Sequence, residues 1–229
     1  MRPKRDTIAE SPMFAGLSKD QLDQLEGIGR EVALKRGETI FREDDEGNGF
    51  YIVAAGKVKI YKVSAEGKEQ ILHIYGPGQP FGEVPVFAGK HFPANAQAVD
   101  GSRLIFFPRR AFIDLITANP SLAMNMLAVL SMRLRQFTVQ IENLSLKEVP
   151  GRLASYLLVL SEEQAGPDVV RLPISKGQLA SLLGTIPETL SRIFNKMSAQ
   201  GYIEVNGSAI TLLDRPALDD LSVTGRLVD

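Results

Sequence analysis

Residues 175–212 read SKGQLASLLGTIPETLSRIFNKMSAQGYIEVNGSAITL, and their pattern predicts the architecture of the C-terminal part of the chain. Ser175 is a suitable cap for a first helical pattern, and Gly184 interrupts the pattern before a second one begins. Asn206-Gly207 then lies between two short β-prone runs, which is a strong hairpin signal. The order helix, turn, helix, hairpin predicts a winged helix-turn-helix.

The second helical pattern runs from about Ile186 to Gln200 and has two different faces. One face is polar and carries Glu188, Ser191 and Arg192 at positions i, i+3 and i+4. Near the N-terminus of a recognition helix, arginine suits guanine, glutamate suits the cytosine amino group, and serine suits several bases. The residues predicted to contact DNA are Glu188, Thr189, Ser191 and Arg192, with Lys176 and Lys196 on phosphates. The other face is apolar and consists of Leu190, Ile193, Phe194 and Met197.

Glu188 has a second interpretation that requires no DNA. Thr185 and Glu188 fit the capping-box pattern T-x-x-E, in which the glutamate only completes the helix end. Glu188 and Arg192 are also spaced for an ordinary solvated ion pair. The sequence leaves both interpretations open for Glu188.

The net charge does not indicate nucleic-acid binding, but its distribution does. The 229 residues contain 26 Lys+Arg and 27 Asp+Glu, a formal charge of −1. Residues 171–196 hold four basic residues and one acidic residue, although residues 150–229 as a whole hold seven basic and nine acidic residues. Any attraction to DNA therefore comes from a local patch around the predicted helix-turn-helix.

Glycine usage separates the first half of the chain from the second. Ten of the 20 glycines lie between Gly37 and Gly101, and none occurs in residues 102–150. Short apolar runs alternate with turn signals in the glycine-rich block, which predicts a β-sandwich or jelly roll. The predicted strands are Phe50–Ala54, Val58–Val63, Ile71–Tyr75 and Leu104–Phe107, with a hairpin loop at Ala65-Glu66-Gly67 and a helix at Ser18–Ile28 before them.

A long helical pattern follows from Met124. Six apolar residues recur there at spacings of 3, 4, 3, 4 and 3, with polar residues between them. This narrow seam indicates a helix that pairs with its copy in a homodimer, while packing against its own domain is the alternative. The seam residues are Leu127, Leu130, Leu134, Phe137, Ile141 and Leu144. Beyond Pro150 a helix is predicted at Arg152–Gln164, then a Gly166-Pro167 break and a strand at Val169–Leu172.

The chain contains no cysteine and only two histidines, His73 and His91. This composition excludes disulfide scaffolds, thiol nucleophiles, cysteine-ligated zinc and iron–sulfur clusters held by cysteine. Neither histidine belongs to a metal or catalytic-triad motif, so we predict no enzyme. No long apolar stretch or signal peptide is evident, and we expect a cytoplasmic protein that does not bind membranes.

Several motifs together resemble the cyclic-AMP receptor protein/FNR superfamily of bacterial transcription regulators. They are Phe50-Tyr51-Ile52-Val53, Gly56-Lys57-Val58, Glu66-Gly67-Lys68-Glu69, Gly78, Phe81-Gly82-Glu83, the long helix and Glu188-Thr189-Leu190-Ser191-Arg192. The resemblance implies an α+β protein with a β-roll effector domain at residues 1–107, helices that include the dimerisation helix at 108–149, and a winged helix-turn-helix at 150–229. It also implies palindromic promoter DNA, RNA polymerase and a small effector as partners.

The effector pocket departs from that of the cyclic-AMP-binding members. Those members carry an Arg-Ser pair ten residues after the Glu of Gly82-Glu83, and Pro93 and Ala94 stand at those places here. Without the guanidinium, a buried phosphate loses a bidentate charge-assisted contact, so we expect an effector other than cyclic AMP. Gly82-Glu83 either belongs to the pocket or only completes a turn.

The recognition segment is similar to the FNR type, because Glu188, Ser191 and Arg192 match its E-x-x-S-R pattern. The resemblance implies a TTGA-containing inverted repeat, with Pro187 where the cyclic-AMP type has a further arginine. The stretch from His91 to Val99 is similar to the DNR-like and HcpR-like branches, which respond to nitric oxide and related species. That branch implies haem, with His91, His73 or a methionine as an axial ligand. The plainer interpretations are that His91 is an exposed loop residue and His73 a strand residue.

A different reading of the β-domain stays open from the residues alone. Cyclic-nucleotide-binding modules and other small-molecule-binding modules also regulate enzymes and channels. That alternative leaves the winged helix-turn-helix without a role.

Overall fold

The computed structural model describes residues 3–166 and 168–227, so the predicted break at Pro167 lies outside the described residues. The chain divides into two compact units, residues 1–134 and residues 135–229. The division falls inside the long helix, and the three-part division at residues 107 and 149 stays a prediction.

The first unit combines helices with two four-stranded antiparallel sheets. Its helices are α1 (Lys4–Glu10), α2 (Lys19–Ile28), α3 (Val84–Phe87), α4 (Arg109–Ala118) and α5 (Pro120–Leu146), the last of which continues into the second unit. Its strands are β1 (Arg30–Leu34), β2 (Thr39–Phe41), β3 (Gly49–Ala55), β4 (Val58–Val63), β5 (Glu69–Tyr75), β6 (Pro80–Phe81), β7 (Asn95–Ala98) and β8 (Ser102–Pro108).

The sheets have the orders β1-β8-β3-β6 and β2-β7-β4-β5. Strand β3 shows how side-chain alternation separates two cores. Phe50 and Ile52 pack with the helices, whereas Val53 points into the core between the two sheets. Tyr75 from β5 and Phe81 from β6 share that second core, so the roll is closed around an aromatic interior.

The predicted strands and hairpin are confirmed. Val58–Val63 forms β4 as predicted. The strands predicted for β3 and β8 extend by one or two residues at both ends, and the one predicted for β5 begins two residues earlier. In the hairpin, the Gly67 amide donates to the Ser64 carbonyl at 2.9 Å, and Gly67 takes a φ of 81°, which favours glycine. The predicted first helix is also confirmed, with Ser18 as its cap.

Among the described residues, the second unit begins with the end of α5 and contains four further helices and three strands. Its elements are α6 (Val149–Glu163), β9 (Val169–Arg171), α7 (Lys176–Leu182), α8 (Pro187–Ala199), β10 (Ile203–Asn206), β11 (Ala209–Leu212) and α9 (Arg215–Thr224). The three strands form one antiparallel sheet in the order β10-β11-β9. Helix α6 approaches the end of α9 closely, since a Cβ on Gly151 would lie 2.5 Å from Gly225 Cα.

Within the described residues, no single helix has the length and apolar character needed to span a membrane. Helices α4 and α5 have the required length and apolar character only when they are taken together, and this pair is bent by 113°.

Candidate nucleic-acid interface and effector pocket

Helices α7 and α8 form the predicted helix-turn-helix. Ser175 caps α7, since its hydroxyl accepts from the Gln178 amide at 3.2 Å and the Gln178 side chain accepts from the Ser175 amide at 3.1 Å. The turn between the helices contains Gly184 with a φ of 69°. The glycine reverses the chain without strain, so α8 starts within three residues of the turn.

The apolar face of α8 fixes which side faces outward. Leu190, Phe194 and Met197 are almost fully buried. The opposite side exposes the predicted reading residues, and an open concavity on it is lined by Pro187, Glu188, Ser191 and Arg192. The structure therefore brings the three predicted base-contacting side chains together on one exposed surface.

The capping-box interpretation of Glu188 is wrong. The N-cap residue of α8 is Ile186, not Thr185, and no side chain caps the helix. A residue before proline is driven to extended backbone, and Ile186 has a ψ of 155°, so the helix can begin only at Pro187. The alternative ion pair with Arg192 is also absent among the contacts of the described chain, which leaves the Glu188 carboxylate exposed.

Two of the other predicted contact residues, Thr189 and Lys176, make side-chain contacts within the helix-turn-helix. Thr189 accepts a hydrogen bond from Arg192 Nη2 at 3.2 Å, which orients the guanidinium. Lys176 Nζ lies 5.2 Å from the centre of the Phe194 ring, a cation–π distance that holds the ammonium beside α8. Lys196 is exposed in the last turn of the same helix.

The predicted wing is confirmed. Ile203–Asn206 and Ala209–Leu212 pair antiparallel, with Ile203 opposite Leu212. Gly207 has a φ of 62° in the turn, as an Asn-Gly hairpin requires. Strand β9 adds to β11, so the hairpin is the edge of a three-stranded sheet.

Arg152 joins three parts of the second unit, and no sequence pattern predicted this. Its guanidinium donates to the carbonyls of Leu144, Lys147 and Leu183, at 3.1, 2.9 and 2.8 Å. Leu183 immediately precedes the helix-turn-helix turn at Gly184. Partial burial lowers the pKa of Arg152 from its ordinary value without removing its charge.

The predicted effector pocket contains an ion pair that sequence reasoning missed. Glu83 follows Gly82, and a Cβ on Gly82 would lie 3.1 Å from the Phe41 ring. The Glu83 carboxylate pairs with Arg133 of α5, and Arg133 Nη2 also donates to the Pro80 carbonyl at 2.6 Å. Both charged side chains are about nine-tenths buried. Glu83 therefore does more than complete a turn.

Aromatic and imidazole rings surround this ion pair. The Arg133 guanidinium carbon lies 5.1 Å from the centre of the Tyr75 ring, and burial raises the pKa of Tyr75 to about 12. The His73 ring is 4.5 Å from that of Tyr75. Burial and then the Arg133 charge lower the pKa of His73 to about 4, so this imidazole is neutral at pH 7.

Pro93 and Ala94 offer no charged or side-chain donor group. Pro93 is exposed, and its carbonyl accepts from Lys62 Nζ at 3.0 Å. Ala94 is buried with an apolar side chain. The two residues thus supply apolar surface in place of the guanidinium and hydroxyl that grip a cyclic phosphate.

The two histidines that were predicted as possible axial haem ligands have different surroundings. His91 is exposed in a loop, and its Nδ1 lies 2.8 Å from the Asp44 carbonyl. His73 lies beside the Arg133 cation and the Tyr75 ring, as described above. In the described chain no group of three or more candidate metal-ligand side chains occurs.

The predicted seam residues lie on α5 and are largely uncovered. Leu127, Leu134 and Ile141 are 56, 69 and 64% exposed, and Phe137 is 37% exposed. Leu130 and Leu144 are half-buried. The seam as a whole is therefore not packed against its own domain.

Both parts of the chain match known protein families. A cyclic nucleotide-binding domain family matches residues 31–119, and a Crp-like helix-turn-helix domain family matches residues 151–221. The chain is 30% identical to the cyclic AMP receptor protein of Thermus thermophilus over 212 residues, which cover 93% of this chain and 97% of the relative.

Further relatives agree with this assignment. The chain is 30% identical to the fumarate and nitrate reduction regulatory protein of Escherichia coli over 211 residues, covering 90% of this chain and 84% of that protein. The structure of FixK2 from Bradyrhizobium japonicum matches 88% of this chain and all of that one, with a TM-score of 0.75 and 25% identity. The chain therefore belongs to the CRP/FNR family of DNA-binding transcription regulators, a family without enzymatic activity, and it combines an effector-binding type of β-domain with a C-terminal helix-turn-helix.

Proposed function

We propose that this regulator works in the cytoplasm as a homodimer that binds an inverted repeat containing TTGA in promoter DNA. A small effector in the β-roll controls binding, and RNA polymerase is the partner at the promoter. The observation that carries the proposal is the exposed group of Glu188, Ser191 and Arg192 on the outer face of α8. The carboxylate accepts hydrogen bonds, the guanidinium donates them and the hydroxyl does both. Together they match the donors and acceptors on the base edges of such a half-site.

The exposed seam of α5 supports the homodimer. A second helix that packs on large apolar side chains at a-type and d-type heptad positions is favourable, because it removes their apolar surface from water. A dimer also explains an inverted-repeat site, because its two-fold axis places one recognition helix on each half-site, about 34 Å apart. In this proposal the effector changes how the two seams pack and so sets the distance between the recognition helices.

The effector in this proposal is a molecule other than cyclic AMP. Pro93 and Ala94 give a phosphodiester no cationic partner, and the Arg133 guanidinium is already occupied by Glu83 and the Pro80 carbonyl. Haem with nitric oxide as its signal is one candidate effector, and the resemblance of residues 91–99 supports it. His91 would hold the iron through Nε2, since its ring is exposed and its Nδ1 lies beside the Asp44 carbonyl.

The test compares Arg192→Ala with the wild type on a duplex that carries the TTGA inverted repeat. Loss of a bidentate guanine contact is expected to cost about 1–3 kcal/mol of specific binding and to relax selectivity at one guanine. Fluorescence anisotropy on duplexes with each half-site base replaced in turn measures both effects.

Lys196→Ala is the matched control, because it removes a cation from the same helix without removing a base contact. Its affinity should fall similarly for every sequence, and the slope of log affinity against log salt should decrease by about 1 for each subunit, or about 2 for the dimer. An Arg192→Ala protein whose footprint on the TTGA repeat is unchanged would contradict the proposed docking.

A further inference from the structure

A cavity of about 340 Å³ lies in the N-terminal unit, outside the pocket at Glu83 and Arg133. This volume is within the range of cavities that hold small ligands in proteins. Strands β2, β3 and β8, the loop after β2 and the segment before β7 contribute to its walls. Four aromatic side chains and two carboxylates determine its chemistry, and they are Phe41, Tyr51, Phe92, Phe106, Asp45 and Glu46.

The four aromatic rings form two pairs. The rings of Phe41 and Phe92 are stacked with their centres 3.6 Å apart, and the centres of the Tyr51 and Phe106 rings are 5.0 Å apart. The first pair is buried, and the second pair is half-buried. Burial raises the pKa of Tyr51, so its phenol is uncharged at pH 7. The rings therefore offer the cavity apolar surface and the negative ring faces that attract cations.

The charge at this cavity is negative. Among the described residues that line it, Asp45 and Glu46 alone are charged at pH 7, and both are exposed. Neither carboxylate forms an ion pair with a cation in the described part of the chain. Glu43, which belongs to the same acidic run, pairs instead with Lys62. A cationic ligand would therefore meet two carboxylates that are not already neutralised.

The loop that carries these carboxylates is held in position by the protein itself. The Asp45 side chain accepts a hydrogen bond from the Arg42 amide at 2.7 Å. The Phe92 amide donates to the Asp45 carbonyl at 3.0 Å, and the Gly47 amide donates to the Lys90 carbonyl at 2.7 Å. A Cβ on Gly47 would lie 2.8 Å from the Phe92 ring, so the loop packs closely on this ring. Ligand binding therefore requires little further ordering of the site.

The Phe41 and Phe92 rings contact the Gly82-Glu83 turn as well as the cavity. A Cβ on Gly82 would lie 3.1 Å from the Phe41 ring and 3.3 Å from the Phe92 ring. Glu83 pairs with Arg133 of α5. The cavity is therefore a neighbour of the effector pocket, separated from its ion pair by these two rings.

We propose that this cavity binds a small organic cation of the alkylammonium class. The ring faces and the two carboxylates attract such a cation through independent interactions, and the same carboxylates repel a phosphate or another anion. This inference goes beyond the proposed function, because it adds a ligand site outside the pocket at Glu83 and Arg133.

Choline and 3,3-dimethyl-1-butanol give a direct test, because the second molecule has a carbon atom in place of the quaternary nitrogen and so lacks the charge. Binding of each to the full-length protein is measured by saturation-transfer-difference NMR on the methyl signals, at fixed ionic strength. Choline should bind about fivefold more tightly than the neutral alcohol, or better. Butylamine, a primary ammonium ion, should likewise bind more tightly than 1-butanol.

Two variants remove the two attractions separately. The double variant Asp45→Asn with Glu46→Gln keeps the side-chain sizes and removes both charges, so choline should bind about fivefold more weakly or worse. Phe106→Leu removes one ring but keeps an apolar side chain, and choline should bind about two- to fivefold more weakly.

Asp44→Asn is the matched control, because it removes a charge from the same loop at a residue that does not line the cavity. Asparagine also tolerates the φ of 66° that Asp44 adopts. This variant should bind choline nearly as the wild type does. Thermal unfolding of every variant ensures that weaker binding does not reflect a loss of the fold, and the charge variants decide the result if Phe106→Leu is unfolded.

A preference for choline over its neutral isostere that decreases in the lining variants but persists in Asp44→Asn supports the site. Equal binding of choline and 3,3-dimethyl-1-butanol, or the same loss in Asp44→Asn as in the lining variants, overturns it. Binding to the TTGA repeat is measured separately. A wild-type protein that binds this repeat but neither choline nor butylamine overturns the cation site alone.

Discussion

The two apolar faces of helix α5 differ in what covers them. Leu122, Met126 and Val129 are buried in the core that the helices form against the first sheet of the N-terminal unit. Leu134 and Ile141, on the adjacent face, are 69 and 64% exposed. The chain itself covers the first face and leaves the second face exposed.

In the proposed dimer, one face of α5 contributes to the N-terminal core and the adjacent face forms the interface. Arg133 follows Val129 by four residues, so it lies on the covered side and reaches Glu83. Leu134, the next residue, belongs to the exposed seam. Neighbouring residues of α5 thus connect the effector pocket with the predicted dimer interface, and substitutions at each can separate the two roles.

The largest effect is expected from Leu134→Asp. In the proposed dimer, this change places two carboxylates opposite each other in a water-excluded seam, at a combined cost of about 6 kcal/mol or more of association free energy. Sedimentation analysis should show a monomer, and specific binding to an inverted repeat should be lost with it.

Met132→Asp is the control for that experiment. Met132 is 57% exposed but lies about 160° around the helix from Leu134. Its substitution should leave the dimer intact. Equal dissociation of both variants, or of neither, would show that the seam is not the interface.

A smaller effect, on folding, is expected from Arg133→Met on the covered face. The change leaves the Glu83 carboxylate buried without its cation, which typically costs about 3–5 kcal/mol. Urea unfolding measures this loss. The double variant Glu83→Gln with Arg133→Met should recover much of the stability, because no charge is then left unpaired. If the single variant is as stable as the wild type, the ion pair contributes nothing to the fold.

The smallest effect is the pH dependence due to His73. Its pKa in the folded chain is about 4, against an ordinary value of 6.5, so the unfolded chain binds the proton more strongly between these values. The stabilising contribution is therefore complete above about pH 6.5 and is lost as the pH falls towards 4, by about 3 kcal/mol in total. Thermal unfolding of the wild type and His73→Phe across this range measures it.

His91→Gln is the appropriate comparison for the pH experiment, because that ring is exposed. It should retain the pH dependence of the wild type between pH 6.5 and 4. A His73→Phe protein with that same dependence would show that another group is responsible.

The sequence predicted the DNA-binding segment well because its determinants are local. The Ser175 cap, the Gly184 turn and the Asn206-Gly207 hairpin each act within a few residues, and the structure confirms all three. The capping box at Thr185 was wrong because the restriction that Pro187 imposes on Ile186 outweighs the preference of threonine for helix caps.

The effector pocket was less predictable because it is assembled over long distances. Arg133 and Glu83 are 50 residues apart, and nothing near either residue indicates the other. The spacing of Leu122, Met126, Val129 and Arg133 on one face of α5 was the available signal. Strand β7, with the sequence NAQA, was missed since it lacks β-branched residues and depends on its hydrogen-bonded neighbours β2 and β4.

Arg152 links three segments of the second unit through hydrogen bonds. Its planar guanidinium donates to one carbonyl at the end of α5, one in the segment before α6 and one at the end of α7. A shift of Leu144 relative to Leu183 would break at least one of these bonds. Within this unit, these hydrogen bonds therefore couple the position of the end of the long helix to that of the turn that leads into the recognition helix.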